Sequence, residues 1–350
     1  MAHTQDGVDK TLTPAARGPM SLDHDSSGGA FHGTSAAWLV GPRALDLAMW
    51  FACAFTCVYV LTQSGFEGPW YRLQDAMSFT AIPPFRHRIL FVLVARAIEA
   101  VRPAFHAPRC YFLSQVLAAG IAFWAIRPWA ARFVAPAGAA LSRPLLLLLL
   151  APTFTYWTFY DIGIVACYTF ALWALVERRF GWYLVVFALA TLNHENSLLL
   201  VPVALMLRYG SWRIGARGVA WGALQLVLYA GLRMLLFRLF PVESAWQSGK
   251  LQYNLNLVIH DPAQIARAVL LVGVWLVMVG ARWKRLPREI RWIFLILFPE
   301  LVLVAIVVGQ INELRLFDAL MPVIVVSMLL AVGIEPRADA GRASGAPGAG

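Results

Sequence analysis

The stretch that decides the fold is GWYLVVFALATLNHENSLLLVPVALML, residues 181–207, in which the polar tetrad 193–196 separates two apolar runs. Each run has roughly 11 residues, or about 17 Å of helix at about 1.5 Å per residue. The hydrocarbon core of a bilayer is about 30 Å thick, so neither run spans it alone. We therefore predict a hairpin of two short helices whose tip lies within the bilayer thickness, surrounded by protein or lining a cavity. One continuous helix is the alternative.

The composition of the whole chain agrees with a membrane setting. Of the 350 residues, 60% are hydrophobic and 14% are charged, and the mean hydropathy is +0.65. Soluble domains average roughly 45–50% apolar and about 25% charged residues, which excludes a soluble or a disordered chain. Apolar runs on both sides of the hairpin predict an all-α, polytopic transmembrane bundle of roughly eight to ten membrane helices. Full spans are predicted at 44–63, 110–126, 144–160, 162–176, 219–240, 265–281, 292–308 and 316–332.

We expect three parts along the chain. Residues 1–43 are polar, have no apolar segment typical of a signal peptide, and are predicted to be a disordered cytoplasmic tail. Residues 44–333 hold the transmembrane domain, in which 64–109 form an outer loop and an amphipathic helix that lies at an interface rather than spanning. Residues 334–350 are predicted to be a second disordered cytoplasmic tail.

The basic residues predict the orientation of the chain. The net charge is +10, and the Lys and Arg residues form short clusters between apolar runs. Such clusters are typical of topology-setting loops, so we expect contact with membrane lipid and none with nucleic acid. With the hairpin, most of the 29 basic residues lie on one side, which the positive-inside rule assigns to the cytoplasm together with both termini. A continuous helix would place Arg208, Arg213 and Arg217 outside.

This topology gathers the unusual polar residues on the outer side. Ionisable groups at membrane depth cost roughly 2.5–3.5 kcal/mol each on insertion scales, which makes them candidates for function. Glu67 and Asp75 in the first outer loop are candidates for a carboxylate general base, although acids in loops are also common without such a role. The candidates for substrate binding are Arg86, His87, Arg88, Asp161, His194, Glu195, Glu313 and Arg315.

Two groups of candidates leave alternatives open. Arg86 and Arg88 lie at a helix start, where cations oppose the helix dipole, so an anionic partner is expected. That partner is either a phospholipid headgroup or a lipid (pyro)phosphate, which two guanidiniums can clamp. The tetrad 193–196 either lines a cavity or is a polar plug that shapes the helix break. Glu313 and Arg315 either contact substrate or form a local ion pair.

No cofactor is predicted with certainty. The sequence has no phosphate-binding loop, no dinucleotide fingerprint and no GxSxG motif. His194-Glu195 does not begin a zinc-binding HExxH motif, because the second histidine position is Leu198. A divalent metal at Asp75 and other outer carboxylates stays an open alternative, although no ligand spacing supports it.

Three short motifs carry a family resemblance: PFRHRIL at 84–90, NHENSLLL at 193–200 and ELR at 313–315. With them, the chain resembles bacterial multi-spanning proteins similar to GT-C fold glycosyltransferases. The resemblance implies a GT-C-like fold, a bacterial inner (plasma) membrane, and sugar transfer from a polyprenyl-phosphate donor to an acceptor at the outer face. It also implies an acidic base in the first outer loop, a role that falls on Asp75 or Glu67, with Asp75 preferred. A clear paired-acid motif is missing from that loop.

Two other classes of function stay open at the sequence level. A transporter or flippase of a lipid-linked or anionic solute would use the break at 193–196 as its binding site. A non-catalytic scaffold of an envelope-polysaccharide complex would need none of the polar candidates, and its protein partners are unknown.

Overall fold

The computed structural model describes residues 42–63, 73–81, 85–154, 160–211, 214–241 and 250–337, and within these ranges the chain is helical apart from short connections. The prediction of an all-α protein is confirmed there. The α-helices are α1 (Pro42–Gln63), α2 (Leu73–Met77), α3 (Leu90–Val101), α4 (Ala107–Ala131), α5 (Pro136–Leu150), α6 (Asp161–Val176), α7 (Phe180–Asn193), α8 (Leu200–Tyr209), α9 (Ala216–Leu239), α10 (Leu251–His260), α11 (Pro262–Ala281), α12 (Arg288–Val307) and α13 (Met321–Ala331).

Within the described ranges, seven helical segments are long and apolar enough to cross a membrane. Their outer faces carry large apolar side chains, such as Val227 at 70% exposure and Leu270 at 71% exposure. Side chains of this kind are expected to face lipid tails, since water would disfavour so much exposed apolar surface. The chain is therefore an integral, multi-pass membrane protein. The seven segments are Arg43–Gln63, Ala107–Ala131, Pro136–Thr153, Ala216–Leu239, Pro262–Ala281, Arg288–Val307 and Leu314–Ala331.

The predicted hairpin is confirmed by contacts between its two helices. α7 ends at Asn193, His194 is extended with φ −158° and ψ 142°, and a 3-10 turn at Glu195–Leu199 leads into α8. At the tip, the hydroxyls of Thr191 and Ser197 lie 3.0 Å apart. At the open end, the Arg208 guanidinium lies 4.2 Å from the centroid of the Phe180 ring. One continuous helix would hold Phe180 and Arg208 about 40 Å apart, so the chain reverses at the tetrad.

Contacts between helix ends show that the bundle has two distinct ends. At one end, Asp46 of α1 forms ion pairs with Arg127 of α4 and Arg143 of α5. We call this the basic end; the open end of the hairpin, with Arg208, also lies there. The hairpin tip, the start of α6 and the last turn of α9 lie at the opposite end, which we call the site end.

Three consecutive helices are too short to cross the bilayer. α6, α7 and α8 have 16, 14 and 10 residues, or about 24, 21 and 15 Å of helix. α6 begins where α7 ends, since the Asn193 amide lies 3.4 Å from the carbonyl oxygen of Tyr160. These ends therefore meet inside the thickness of a bundle whose seven candidate spans, among the described residues, have 18 to 25 residues, and they form the floor of the site end.

Close packing of this floor depends on Gly163 in the first turn of α6. A Cβ atom there would lie 2.3 Å from the Phe91 ring of α3 and 2.8 Å from the Asn193 side chain of α7. α3 is the predicted amphipathic helix: Phe91, Val92 and Ala95 are buried, while Arg96 and Glu99 form a surface ion pair at 2.7 Å. With 12 residues it is no span, as predicted.

Several predicted boundaries need correction. Arg143 falls between the predicted spans 110–126 and 144–160, but it is 4% exposed within α5, where it donates to the Phe123 carbonyl and to Asp46. The second predicted tail begins later than residue 334, because Arg337 and Glu335 form backbone hydrogen bonds with Phe133 and Ala135.

Two further predictions were wrong in detail. The span predicted at 144–160 ends as an α-helix at Leu150, followed by a 3-10 turn to Thr153. Residues 241–264, which the predicted spans 219–240 and 265–281 leave as a connection, contain the helix α10. Residues 1–41 and 338–350, which hold most of the two predicted tails, lie outside the described residues.

Candidate functional site

The centre of the site end is a two-point ion pair between Arg88 and Glu195. Nη2 of Arg88 donates to Oε1 of Glu195 at 2.5 Å, and Nε donates to Oε2 at 3.3 Å. The Arg88 side chain is 7% exposed, whereas that of Glu195 is 31% exposed. Parallel hydrogen bonds of this kind fix the plane of the guanidinium as well as neutralising its charge. Arg88 precedes α3 and points into the protein, so it does not share the outer face of Arg96 and Glu99.

Tyr160 joins this pair to a second arginine. The Arg88 guanidinium lies 4.3 Å from the centroid of the Tyr160 ring. Nη1 of Arg315 donates to the Tyr160 hydroxyl at 2.7 Å, and the Arg315 guanidinium lies 5.6 Å from the same ring. A buried aromatic ring next to a guanidinium is attractive because the face of the ring is electron-rich. One neutral side chain therefore holds two cations near each other.

Arg315 is balanced by carboxylates on its other side. It pairs with Asp161 at 3.3 Å and with Glu313 at 3.1 Å. Asp318 lies in the next turn and is 2% exposed, and within the described part of the chain one of its carboxylate oxygens has no hydrogen-bond partner. Glu313 and Arg315 thus form a local ion pair, which is one of the two alternatives that the sequence left open, and Arg315 also pairs with Asp161.

The hairpin tip is held by His194. Its Nδ1 accepts a hydrogen bond from the backbone N–H of Asn196 at 3.1 Å, so this nitrogen carries no proton and the ring is neutral. The ring is 6% exposed and lies 5.6 Å from the Tyr160 ring. His194 therefore caps the 3-10 turn and orients Glu195, its neighbour in the chain.

One face of α9 closes the site from another side. Tyr229, Arg233 and Phe237 are four residues apart and lie along one helix face. The Tyr229 hydroxyl donates to the backbone carbonyl of Glu195 at 3.3 Å. Arg233 lies between Tyr229 and Phe237 on this face, and its positive charge contributes to lowering the pKa of His87. The Phe237 ring packs edge-on against His87 with centroids 4.6 Å apart.

His87 and Arg86 tie the chain before α3 to the end of α9. Nε2 of His87 lies 2.9 Å from the Phe240 carbonyl and donates to it, since a carbonyl only accepts. Burial lowers the pKa of His87, and the Phe240 carbonyl acts in the opposite direction with a smaller effect. Arg86 donates to the carbonyls of Thr80, Ala81 and Pro241. Through these bonds, Arg86 connects the segment after α2 to the end of α9.

Asp75 lies in the short helix α2, apart from the charge network. Its side chain is half-buried, and within the described ranges its carboxylate has no ion pair or hydrogen bond. Only its backbone carbonyl is engaged, by Thr80 and Ala81. Glu67, the other candidate base, lies outside the described residues. Seven of the ten predicted site residues thus meet in one region: His87, Arg88, Asp161, His194, Glu195, Glu313 and Arg315.

The charges of this network are unevenly divided on the two sides of Tyr160. Arg88 pairs with the single carboxylate of Glu195, and Arg233 lies one helical turn after Tyr229, which binds the Glu195 backbone, so this side has an excess of positive charge. Arg315 lies near the two carboxylates of Asp161 and Glu313, which leaves an excess of negative charge. We call these the positive side and the negative side. An anionic ligand would be attracted to the positive side, and a cation or an acceptor hydroxyl to the negative side.

Sequence reasoning missed Tyr160, Arg233 and Tyr229. Arg233 had a usable signal, because it is a cation inside the span predicted at 219–240 and such residues are rarely placed there without a partner. Tyr160 had no such signal, since a tyrosine at the end of an apolar run is common. Among the described residues, no group of three or more His, Cys, Asp or Glu is placed to hold a metal ion.

Comparison with known proteins leaves the site to be interpreted from its own chemistry. The chain matches no family model. Neither the curated proteins nor the solved structures gave a match.

Proposed function

We propose that this protein is a GT-C-like membrane glycosyltransferase, which transfers a sugar from a polyprenyl-phosphate donor to an acceptor at the outer face of a bacterial inner membrane. The observation that carries the proposal is the pair of guanidiniums, Arg88 and Arg315, held on one tyrosine at the ends of three truncated helices. A lipid-linked phosphate reaches that depth from the bilayer. A chain without a nucleotide motif can use such a donor, because the lipid phosphate is itself the leaving group.

The orientation in this proposal rests on the positive-inside rule. The clusters at the basic end include Arg127 and Arg132 at the end of α4, and Lys284 and Arg285 after α11. Basic clusters of this kind are retained in the cytoplasm. The site end then faces outward, where the outer leaflet presents lipid-linked sugars.

In the proposed reaction, Asp75 acts as the general base. Its carboxylate accepts the proton of the acceptor hydroxyl while that oxygen attacks the anomeric carbon of the sugar. The bond between this carbon and the phosphate oxygen breaks, and its electron pair leaves with the lipid phosphate. The phosphate thereby changes from a monoanionic diester to a dianionic monoester. Arg88, on the positive side of Tyr160, stabilises the added charge, while Arg315, held by Asp161 and Glu313, fixes the position of Tyr160.

The test is sugar transfer by the purified full-length protein from a radiolabelled polyprenyl-phosphate sugar. We expect Asp75→Asn and Arg88→Ala each to lower transfer by at least 100-fold, as loss of a general base or of a charge stabiliser does. Glu99→Gln and Arg96→Ala are matched controls, because they remove a carboxylate and a guanidinium from an exposed pair of the neighbouring helix. Full transfer by both site variants would overturn the mechanism.

A transporter of a lipid-linked or anionic solute is a second candidate, and the hairpin favours it. Two half-length helices that meet at a charged turn inside the bundle are typical of transporter binding sites. Uptake or flipping of the labelled lipid in proteoliposomes, without any glycosylated product, would support this candidate over the enzyme.

A further inference from the structure

Arg233 of α9 is a cation that neither the sequence motifs nor the proposed mechanism has used. It lies one helical turn after Tyr229, whose hydroxyl donates to the backbone of Glu195, and one turn before Phe237, which packs on His87. The Arg233 guanidinium lies 5.4 Å from the Phe237 ring. The face of α9 that carries Arg233 therefore lies beside the Arg88–Glu195 pair.

The hydrogen-bonding capacity of Arg233 is not used up. Its Nη1 is shielded from solvent and has no hydrogen-bond partner within the described part of the chain. A shielded donor without an acceptor is unfavourable by roughly 1–3 kcal/mol. Such a group in a native protein requires an explanation, and a ligand that supplies the missing acceptor would provide one.

Glu195 is the more exposed member of its ion pair. Its side chain is 31% exposed, against 7% for Arg88. A carboxylate that faces water can leave the pair at a smaller desolvation cost than the buried guanidinium can. If Glu195 moves away, Arg88 and Arg233 are left as two positive charges with free hydrogen-bond donors and without that carboxylate.

We propose that Arg88 and Arg233 form a binding site for a phosphate monoester, and that Glu195 occupies this site as an internal anion until the phosphate displaces it. This inference rests on the proposed function only for the identity of the ligand, the lipid phosphate. The site deepens that proposal, because Arg233 becomes a substrate-binding residue and Glu195 a competitor of the substrate.

Charge matching selects the monoester over the diester. A carboxylate or a sugar-bearing phosphodiester carries one negative charge, whereas a phosphate monoester carries close to two at neutral pH. Only the monoester balances both guanidiniums, and its oxygens accept paired hydrogen bonds from each. The site therefore binds the leaving lipid phosphate more tightly than the donor, and we expect this product to inhibit the protein.

The test measures binding of farnesyl phosphate, a short polyprenyl monoester, to the full-length protein in lipid nanodiscs. We expect Arg233→Gln to weaken binding roughly tenfold or more, as for loss of a hydrogen bond to a charged group. Arg238→Gln is the matched control, since it removes an exposed arginine from the same helix. We expect Glu195→Gln to tighten binding several-fold, because the amide keeps the shape of the side chain but no longer competes with its charge.

The Glu195 variant separates displacement from a merely structural role. If Glu195 only holds Arg88 in place, Glu195→Gln lowers the melting temperature and weakens farnesyl phosphate binding together. That result, or equal binding by the Arg233→Gln and Arg238→Gln variants, overturns the inference. Farnesol and inorganic phosphate are the remaining probes. Tight binding of farnesol would show that the protein recognises the isoprenoid tail rather than the phosphate, which also overturns the inference. Binding of inorganic phosphate with the same variant pattern supports it.

Failure here is distinguishable from failure of the proposed function. If Arg233→Gln does not affect sugar transfer, the protein is still a glycosyltransferase, but Arg233 is not part of its phosphate site. If phosphate binds with the expected variant pattern but no sugar is transferred, the phosphate site is supported and the glycosyltransferase function is rejected.

Discussion

Arg88 and Glu195 lie 107 positions apart in the chain, yet two hydrogen bonds of 2.5 and 3.3 Å join their side chains. The pair connects the segment before α3 to the tip of the helical hairpin. Its two members are unequally buried, with side-chain exposures of 7% and 31%. This asymmetry governs both how the pair stabilises the bundle and how it responds to a ligand.

We predict that Glu195→Ala destabilises the protein more than Arg88→Ala does. Removing Glu195 leaves a buried guanidinium without its counter-ion, a change on the order of 3 kcal/mol. Removing Arg88 leaves a carboxylate that water can reach, so the loss is smaller. The measurement is the melting temperature in detergent, with Arg96→Ala as a control at an exposed pair worth less than about 1 kcal/mol. A larger loss for Arg88→Ala would contradict the assignment.

The architecture could be predicted from the sequence because it depends on the lengths of apolar runs and on where basic residues fall. Two runs of roughly 11 residues cannot cross about 30 Å, so 181–207 had to reverse or stay buried. Basic residues on both flanks of the hairpin then favoured reversal. Contacts of Arg208 with Phe180 confirm it.

The partners within the site could not be predicted in the same way. A pairing such as Arg88 with Glu195 depends on how each helix is rotated about its own axis. Hydropathy fixes that rotation only when a helix has one polar face, and α6 and α13 are apolar all round. The burial of Arg143 could not be predicted for the same reason, because its partner Asp46 lies on α1, far away in sequence.

We predict that Gly163→Ala disrupts the floor of the site, whereas Gly181→Ala does not. A Cβ at Gly163 would lie 2.3 Å from Phe91 and 2.8 Å from Asn193. Phe91 lies three residues after Arg88, and Asn193 directly precedes His194. Such overpacking costs about 1–3 kcal/mol. At Gly181 nothing lies within 4 Å of the added atom. We expect only Gly163→Ala to lower both the melting temperature and the affinity for farnesyl phosphate; equal effects would mean that the close approach is unimportant.

We predict that His87 makes stability decrease on the acid side of neutrality. Burial lowers the pKa of His87, while an imidazole in an unfolded chain titrates near pH 6.5. Below about pH 6.5 the unfolded state therefore binds a proton that the folded state does not. The contribution of neutral His87 is complete above that pH and is lost as the pH falls toward the lowered value.

Melting temperatures measured from pH 8 to pH 4.5 check this expectation. His87→Asn removes the titrating ring, so its melting temperature should decrease less steeply with acid than that of the wild type. His106→Asn is the control, because His106 is exposed at the corner between α3 and α4. Identical slopes for the wild type and His87→Asn would show that His87 is not held neutral by the fold.

The orientation that the proposed function needs predicts a specific labelling pattern. The four native cysteines, Cys53, Cys57, Cys110 and Cys167, are all buried and unpaired, so they should react little with a membrane-impermeant maleimide. Arg102→Cys places a thiol at the exposed corner before α4, at the site end, and Lys284→Cys places one at the basic end after α11. Because basic clusters stay in the cytoplasm, we expect labelling of Arg102→Cys in intact spheroplasts and of Lys284→Cys only after permeabilisation. The reverse pattern would put the charge network on the cytoplasmic side, where a donor in the outer leaflet could not reach Arg88.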